Sequence, residues 1–210
     1  MKRKKLGIIL VLFGLTIVFS AVYMKYEGYI RQKKMINEFE KSINKEDEKE
    51  TNIYEDNEVE SKSDQGSTSE SKASHQSIDR NGTVGILSIP KIDLKVAVGE
   101  GVDMKTLKYA AGHFPDTPYP GELGNSAIAG HRSYTYNQFF NRLDEVEKDD
   151  EIKVQTKNGE FTYVIDKKFV VLPDEVSVLN DTEDSTLTLV TCTPIRSATH
   201  RLIIKAKLMD

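Results

Sequence analysis

The chain has 210 residues, room for one ordinary domain with extensions or for two small domains. A net charge of −4 with 30% charged residues leaves no global basic excess, which argues against a nucleic-acid binder. Charge is unevenly placed: five basic and no acidic residues in 1–26, nine basic and fourteen acidic in 27–80, fifteen basic and nineteen acidic in 81–210.

The first block carries a membrane signal. Leu6 to Tyr23 (LGIILVLFGLTIVFSAVY) holds no charge over 18 residues. As a helix it would rise about 27 Å, close to the thickness of a hydrocarbon core. Lys2, Arg3, Lys4 and Lys5 precede it, which by the positive-inside rule leaves the N-terminus in the cytoplasm. A cleaved signal peptide is the rival, with Val18-Phe19-Ser20 as a weak cleavage site, but its apolar region would be shorter. Residues 1–5 are therefore expected to be cytoplasmic and 6–23 to form a single-pass anchor in the cell membrane. Everything after Tyr23 then lies outside the cytoplasm.

Residues 24–80 read as an extracytoplasmic stalk, largely disordered. Ile30, Met35, Ile36, Phe39 and Ile43 fall near helical spacing, so the membrane helix can continue outward. Beyond them NKEDEKE and SKSDQGSTSESKASHQS have almost nothing to bury and cannot offset the entropy of ordering a chain. His75 sits in this stretch as a solvated histidine.

From 81 to 210 the pattern becomes that of one folded domain. VGILSIP and IDLKVAV alternate apolar and polar around Pro90. DMKTLKYAAGH suits a short helix with Asp103 as its N-cap. A Gly/Pro-rich loop, FPDTPYPGELGN, leads to the strand SAIAGH, and NQFFNRLDEV suits a second short helix. EIKVQT and EFTYVIDKKFVVL form a hairpin about Lys157-Asn158-Gly159. TLTLVTC and HRLIIKAKL complete the set. Many short strands with little helix imply an all-β barrel or sandwich.

Cys192 is the one cysteine, and it closes TLTLVTC. An exported domain uses cysteines in pairs, so a single one is buried, awaits an intermolecular partner, or is reactive. Alternation puts it on a face with Thr188 and Val190, opposite Leu187, Leu189 and Thr191, and that face could be core. Equally, its place at a strand end beside Thr193-Pro194 suits a nucleophile aimed into a loop-lined site. Candidate partners are His131 at the end of SAIAGH, His113 before the proline loop, and Arg201 at the head of the last strand. If 196–199 connects antiparallel neighbours, Cys192 and Arg201 face one another, and a guanidinium there could stabilise an oxyanion or position a backbone carbonyl. Arg132 and Arg196 are weaker competitors for that role.

The segments A-G-H-R (129–132), T-L-V-T-C (188–192) and R-L-I-I-K-A (201–206), in that order, resemble the sortases, membrane-anchored cysteine transpeptidases of Gram-positive bacteria. The likeness spans about residues 83–208. It implies an eight-stranded sortase-type β-barrel with short helices. It also implies Cys192 as nucleophile, His131 as general acid/base and Arg201 as the oxyanion-stabilising or substrate-positioning arginine. Thr191 matches a threonine that shapes the site, and His113 lies where some relatives place a second cleft histidine, both as substrate-binding residues; His200 matches no role. The expected reaction cleaves an LPxTG-like sorting signal after Thr through a thioacyl enzyme and transfers the protein to an amine. Partners would be secreted proteins bearing that signal, with a peptidoglycan precursor or other amine as acceptor, the membrane through the N-terminal helix, and no nucleic acid. HFPDTPYPGELGNSAIAGHR looks most like class D, with class A as runner-up, and no second apolar span follows the last strand, as pilin-polymerising members usually have.

No cofactor or metal is expected, although class A members can bind calcium through acidic loops and Asp174, Glu175, Asp181, Glu183 and Asp184 form one here without dedicated ligand spacing. Alternatives to a cell-wall transpeptidase are a sortase-fold peptide hydrolase, a pilin-polymerising enzyme, and a membrane-tethered scaffold without activity.

Overall fold

The computed structural model describes residues 2–54, 82–132 and 139–209. Period-two alternation after residue 82 produces eight strands: β1 (Thr83–Ile89), β2 (Leu94–Glu100), β3 (Ala111–His113), β4 (Asn125–Ala129), β5 (Glu151–Thr156), β6 (Gly159–Val171), β7 (Thr186–Thr193) and β8 (His200–Leu208). They close into a barrel in the order β1-β2-β3-β4-β7-β8-β6-β5. Closure pairs every strand on both sides and so removes the open edges that invite aggregation. Inward residues of each strand, among them Leu87, Val96, Ile128, Ile152, Leu189 and Ile204, form one core with no solvent exposure. Burying each such side chain contributes roughly 1.5–3 kcal/mol.

β5 and β6 form the expected hairpin, paired from Glu151↔Val164 to Thr156↔Gly159. Two helical expectations shrink. Asp103 does cap α2, its Oδ1 accepting from the amides of Lys105 (2.8 Å) and Thr106 (3.2 Å). That helix covers only Met104–Leu107, however, and the AGH that was read as its end is strand β3. Small Ala111 and Gly112 fit between β2 and β4, and tertiary pairing overrides local propensity there. NQFFNRLDEV yields a single 3-10 turn at Leu143–Glu145, its first two residues lying outside the described ones.

The N-terminal block is one helix, α1 (Lys2–Tyr54), so the helical continuation beyond residue 24 reaches Tyr54. The continuation expected over 24–43 is thus helical and runs on to Tyr54, while the Ser-rich part of the expected stalk, including His75, falls among 55–81, outside the described residues. The physical reason is a docking seam that the composition hid. Gly28, Gln32 and Phe39 lie on one helical stripe and are buried against the barrel. With its amide turned to satisfy both partners, Gln32 donates to the carbonyl of Tyr109 (2.6 Å) and accepts from the amide of Ala97 (2.8 Å). It thus serves the stretch of β2 just before its pairing with the short β3 begins at Val98. Glu27 accepts from the Tyr109 hydroxyl (3.4 Å), Arg31 lies 4.4 Å over the Tyr109 ring, and Lys95 of β2 reaches Glu40 at 2.9 Å. Val11 to Tyr23 are exposed, and by length and composition this is the one helix among the described residues apolar enough to cross a membrane.

Candidate active site

Leu187 and Leu189 of β7 belong to the core. Cys192 is on the other face of the strand, half-buried and unpaired. The core alternative for this thiol is thereby removed.

Two strands flank it. On one side β7 pairs antiparallel with β8, and Cys192 stands directly opposite Arg201. Residues so opposed share a face, with Cβ atoms about 4.5–5.5 Å apart. On the other side β7 runs parallel to β4 with Ala129↔Val190 as the last pair and one further rung, the Gly130 amide to the Val190 carbonyl (3.1 Å). Carrying that register two residues on places His131 level with Cys192, on the same outer face as Ala127 and Ala129. The barrel order thus sets residues 131, 192 and 201 at neighbouring strand ends. Ala129 and Val190, paired across the same two strands, are half-exposed.

The strand end holding His131 is tightly specified. The Thr191 hydroxyl donates to the Gly130 carbonyl at 2.7 Å from a buried position. A Cβ on Gly130 would come within 2.6 Å of the Phe140 ring, so only glycine fits there. Phe140 in turn donates its amide to the His131 carbonyl (3.1 Å). Partial burial holds the imidazole of His131 below its ordinary basicity by disfavouring the charged form. Arg201 spends Nη1 on the carbonyls of Ala198 (3.1 Å) and His200 (3.0 Å), so it braces the loop between β7 and β8.

A family model described as Sortase domain matches residues 87–209. The chain belongs to the sortase family. Sortase D of Bacillus subtilis is 38% identical over 127 residues, 59% of this chain and 62% of the relative, so the match spans less than two thirds of that protein. Sortase A of Streptococcus agalactiae is 27% identical over 212 residues, covering 98% of this chain and 84% of the relative. Among solved structures, a sortase D transpeptidase of Clostridium perfringens superposes with a TM-score of 0.67 at 31% identity, covering 86% of this chain and 99% of that one. This sortase is class D-like, and its sources of similarity agree with the Gram-positive origin that the motifs implied.

Not every candidate joins the constellation. His113 of β3 pairs with Ile128, three residues before His131, and is 0% exposed. Its Nε2 faces the carbonyl of Pro118 (2.9 Å), which can only accept, so that nitrogen carries hydrogen. Its Nδ1 meets Glu100 at 3.2 Å and its ring stacks on Tyr119 at 4.8 Å. Such a histidine pins the turn between β3 and β4 and leaves no face for a substrate. Thr191 is likewise buried, and reaches the site only through Gly130. His200 pairs opposite Thr193 and contacts the Thr199 hydroxyl at 2.9 Å.

Two carboxylates of the acidic loop are engaged within the fold. Asp181 Oδ1 accepts from the amides of Asn125 and Thr182, both at 3.0 Å, and Asp184 pairs with Lys207 at 3.1 Å. Among the described residues no group of three or more His, Cys, Asp or Glu converges to hold a metal. The loop has another task. It runs from β6, whose Val171 pairs with Arg201, to the far end of β7, and Asn125 Nδ2 fastens it by donating to the carbonyls of Val178 and Asn180, both 3.0 Å. Leu172 (58% exposed) and Val176 (70%) lie on it, Leu172 directly after the Val171 that pairs with Arg201.

Proposed function

We propose that this sortase is a membrane-anchored cysteine transpeptidase, held by α1 with its barrel outside the cytoplasm. The observation that carries it is the register of three strands, which sets Cys192 between Arg201 and the level of His131. The Cys192 thiolate attacks the carbonyl of the threonine in an LPxTG-like signal, forming a C–S bond and a tetrahedral oxyanion. Guanidinium donors of Arg201 not spent on the loop stabilise that oxygen. The oxyanion collapses as the Thr–Gly C–N bond breaks, and His131 gives its proton to the departing amine. An incoming amine, from a peptidoglycan precursor or a protein lysine, then displaces the thiolate and returns a proton to His131. Leu172 and Val176 offer apolar contact to the leucine and proline of such a peptide.

A peptide-library cleavage assay on the full chain, with and without an added amine, tests this. The wild type should release product and form the amide with the amine, and Cys192→Ala should lose both by at least about a thousandfold, as expected on losing a covalent nucleophile. Cleavage by Cys192→Ala at the wild-type rate would remove the proposal. Cleavage without transfer would favour the hydrolase.

A further inference from the structure

Arg132 follows His131, and the oxyanion role once open to it is closed by its surroundings. The side chain is 5% exposed. Its Nη1 donates to the Thr193 hydroxyl at 2.7 Å, its Nη2 pairs with Asp144 at 2.8 Å, and its Nε has no partner among the described residues. Thr193 is the residue after Cys192, on the face of β7 opposite the thiol. The guanidinium therefore lies behind the site and touches neither Cys192 nor a substrate in front of it.

Where it acts is informative. The last main-chain rung between β4 and β7 is Gly130 to Val190, so no backbone bond fixes His131 to Cys192. Two side-chain bridges replace it. Thr191 to Gly130 closes the gap one residue before the thiol, and Arg132 to Thr193 closes it one residue after. Together they bracket the level at which imidazole and thiol meet. Asp144, from the 3-10 turn before β5, fixes the second arm of the guanidinium and ties the bracket to the barrel rim. A planar fork suits two fixed partners in a way that a lysine ammonium does not.

We propose that Arg132 is a positioning residue, setting the separation of His131 from Cys192 through the Thr193 hydroxyl; the inference rests on the transpeptidase reading above. Removing the bridge frees the end of β4 beyond its last rung, so chemistry suffers while peptide binding, which uses the outer face, does not.

The test uses the full chain, with the best peptide from the library assay and an added amine. Thr193→Val and Arg132→Gln should each lower kcat about 10- to 100-fold with KM within about twofold of wild type, as for a misplaced catalytic pair. Thr193→Ser, which keeps the hydroxyl, should restore kcat. The double variant Arg132→Gln/Thr193→Val should be no slower than the slower single, because both remove one bridge. Should Arg132→Gln fail to fold, the Thr193→Val and Thr193→Ser pair decides alone. Undiminished kcat in Thr193→Val, or equal kcat in the Val and Ser variants, would overturn the proposal while leaving the loss in Cys192→Ala intact. Turnover that survives Cys192→Ala, or no turnover of any library peptide, would instead take down the transpeptidase reading and this inference with it.

Discussion

His131 is the residue at which the physics of the site is most exposed to measurement. Desolvation makes its imidazole less basic in the folded chain than the free side chain, whose value is about 6.5. As pH falls, the unfolded chain takes up this proton first, so folding loses stability from about pH 6.5 downward through the lower folded value. Thermal melts should show the wild type losing ground to His131→Asn between about pH 7 and pH 5; a gap independent of pH would sink this assignment. The same shift makes imidazolium scarce at neutral pH, so a reaction needing it as acid slows on the alkaline side. Cys192 stood out as the one cysteine, but the residues alone left it open between core and nucleophile. The resemblance carried by A-G-H-R, and by T-L-V-T-C with an arginine nine residues on, is what singled out Cys192, His131 and Arg201. The neighbours that hold them were not legible. Phe140, Asp144 and Thr193 are ordinary residues whose roles come from packing and register, and no local pattern announces a ring beneath a glycine. His113 misled for the opposite reason: a histidine beside a loop looks available until its burial and its bonds to Pro118 and Glu100 are seen.

Among the elements, the strands were the readable part, since a half-buried strand writes its period into the sequence. HRLIIKAKL coincides with β8 residue for residue, and the Asn-Gly turn placed the β5–β6 hairpin. β3 escaped because its three residues, two of them small, carry no alternation. The apolar spacing over 30–43 did announce a continued α1, but not its docking, because the seam is mostly polar. Gln32 contributes by satisfying backbone groups that a strand pattern cannot reveal. Phe39, 4% exposed, is the apolar anchor of that seam. Truncating a buried phenylalanine costs about 3–5 kcal/mol in a rigid core, but here the helix can undock and relieve the loss. Phe39→Ala should therefore raise amide exchange across 26–44 and leave the melting of the barrel nearly unchanged. A large drop in barrel stability would mean that helix and barrel fold as one unit.

Across the whole molecule, the seam fixes a direction. From Gln32 to Glu40 the partners of α1 move from Ala97 back along β2 to Lys95, so the helix runs against β2. β2 is parallel to β3, β3 antiparallel to β4, and β4 parallel to β7, so α1 and β7 point the same way. If the exposed apolar stretch before Glu27 sits in a bilayer, the barrel rests on its α2 end and holds its thiol end aloft. A dye on Cys192 should then escape a quencher carried on lipid tails, whereas a dye on Met104→Cys in a Cys192→Ala background should be quenched; the reverse pattern would invert the orientation. Glu27 to Glu40 spans about 20 Å of helix. A client rooted in the same bilayer would then have to climb about that distance, roughly six extended residues, to reach the raised end of the barrel. The docked helix would thus act as a ruler, admitting clients by the length of tether between their own membrane span and the bond to be cut.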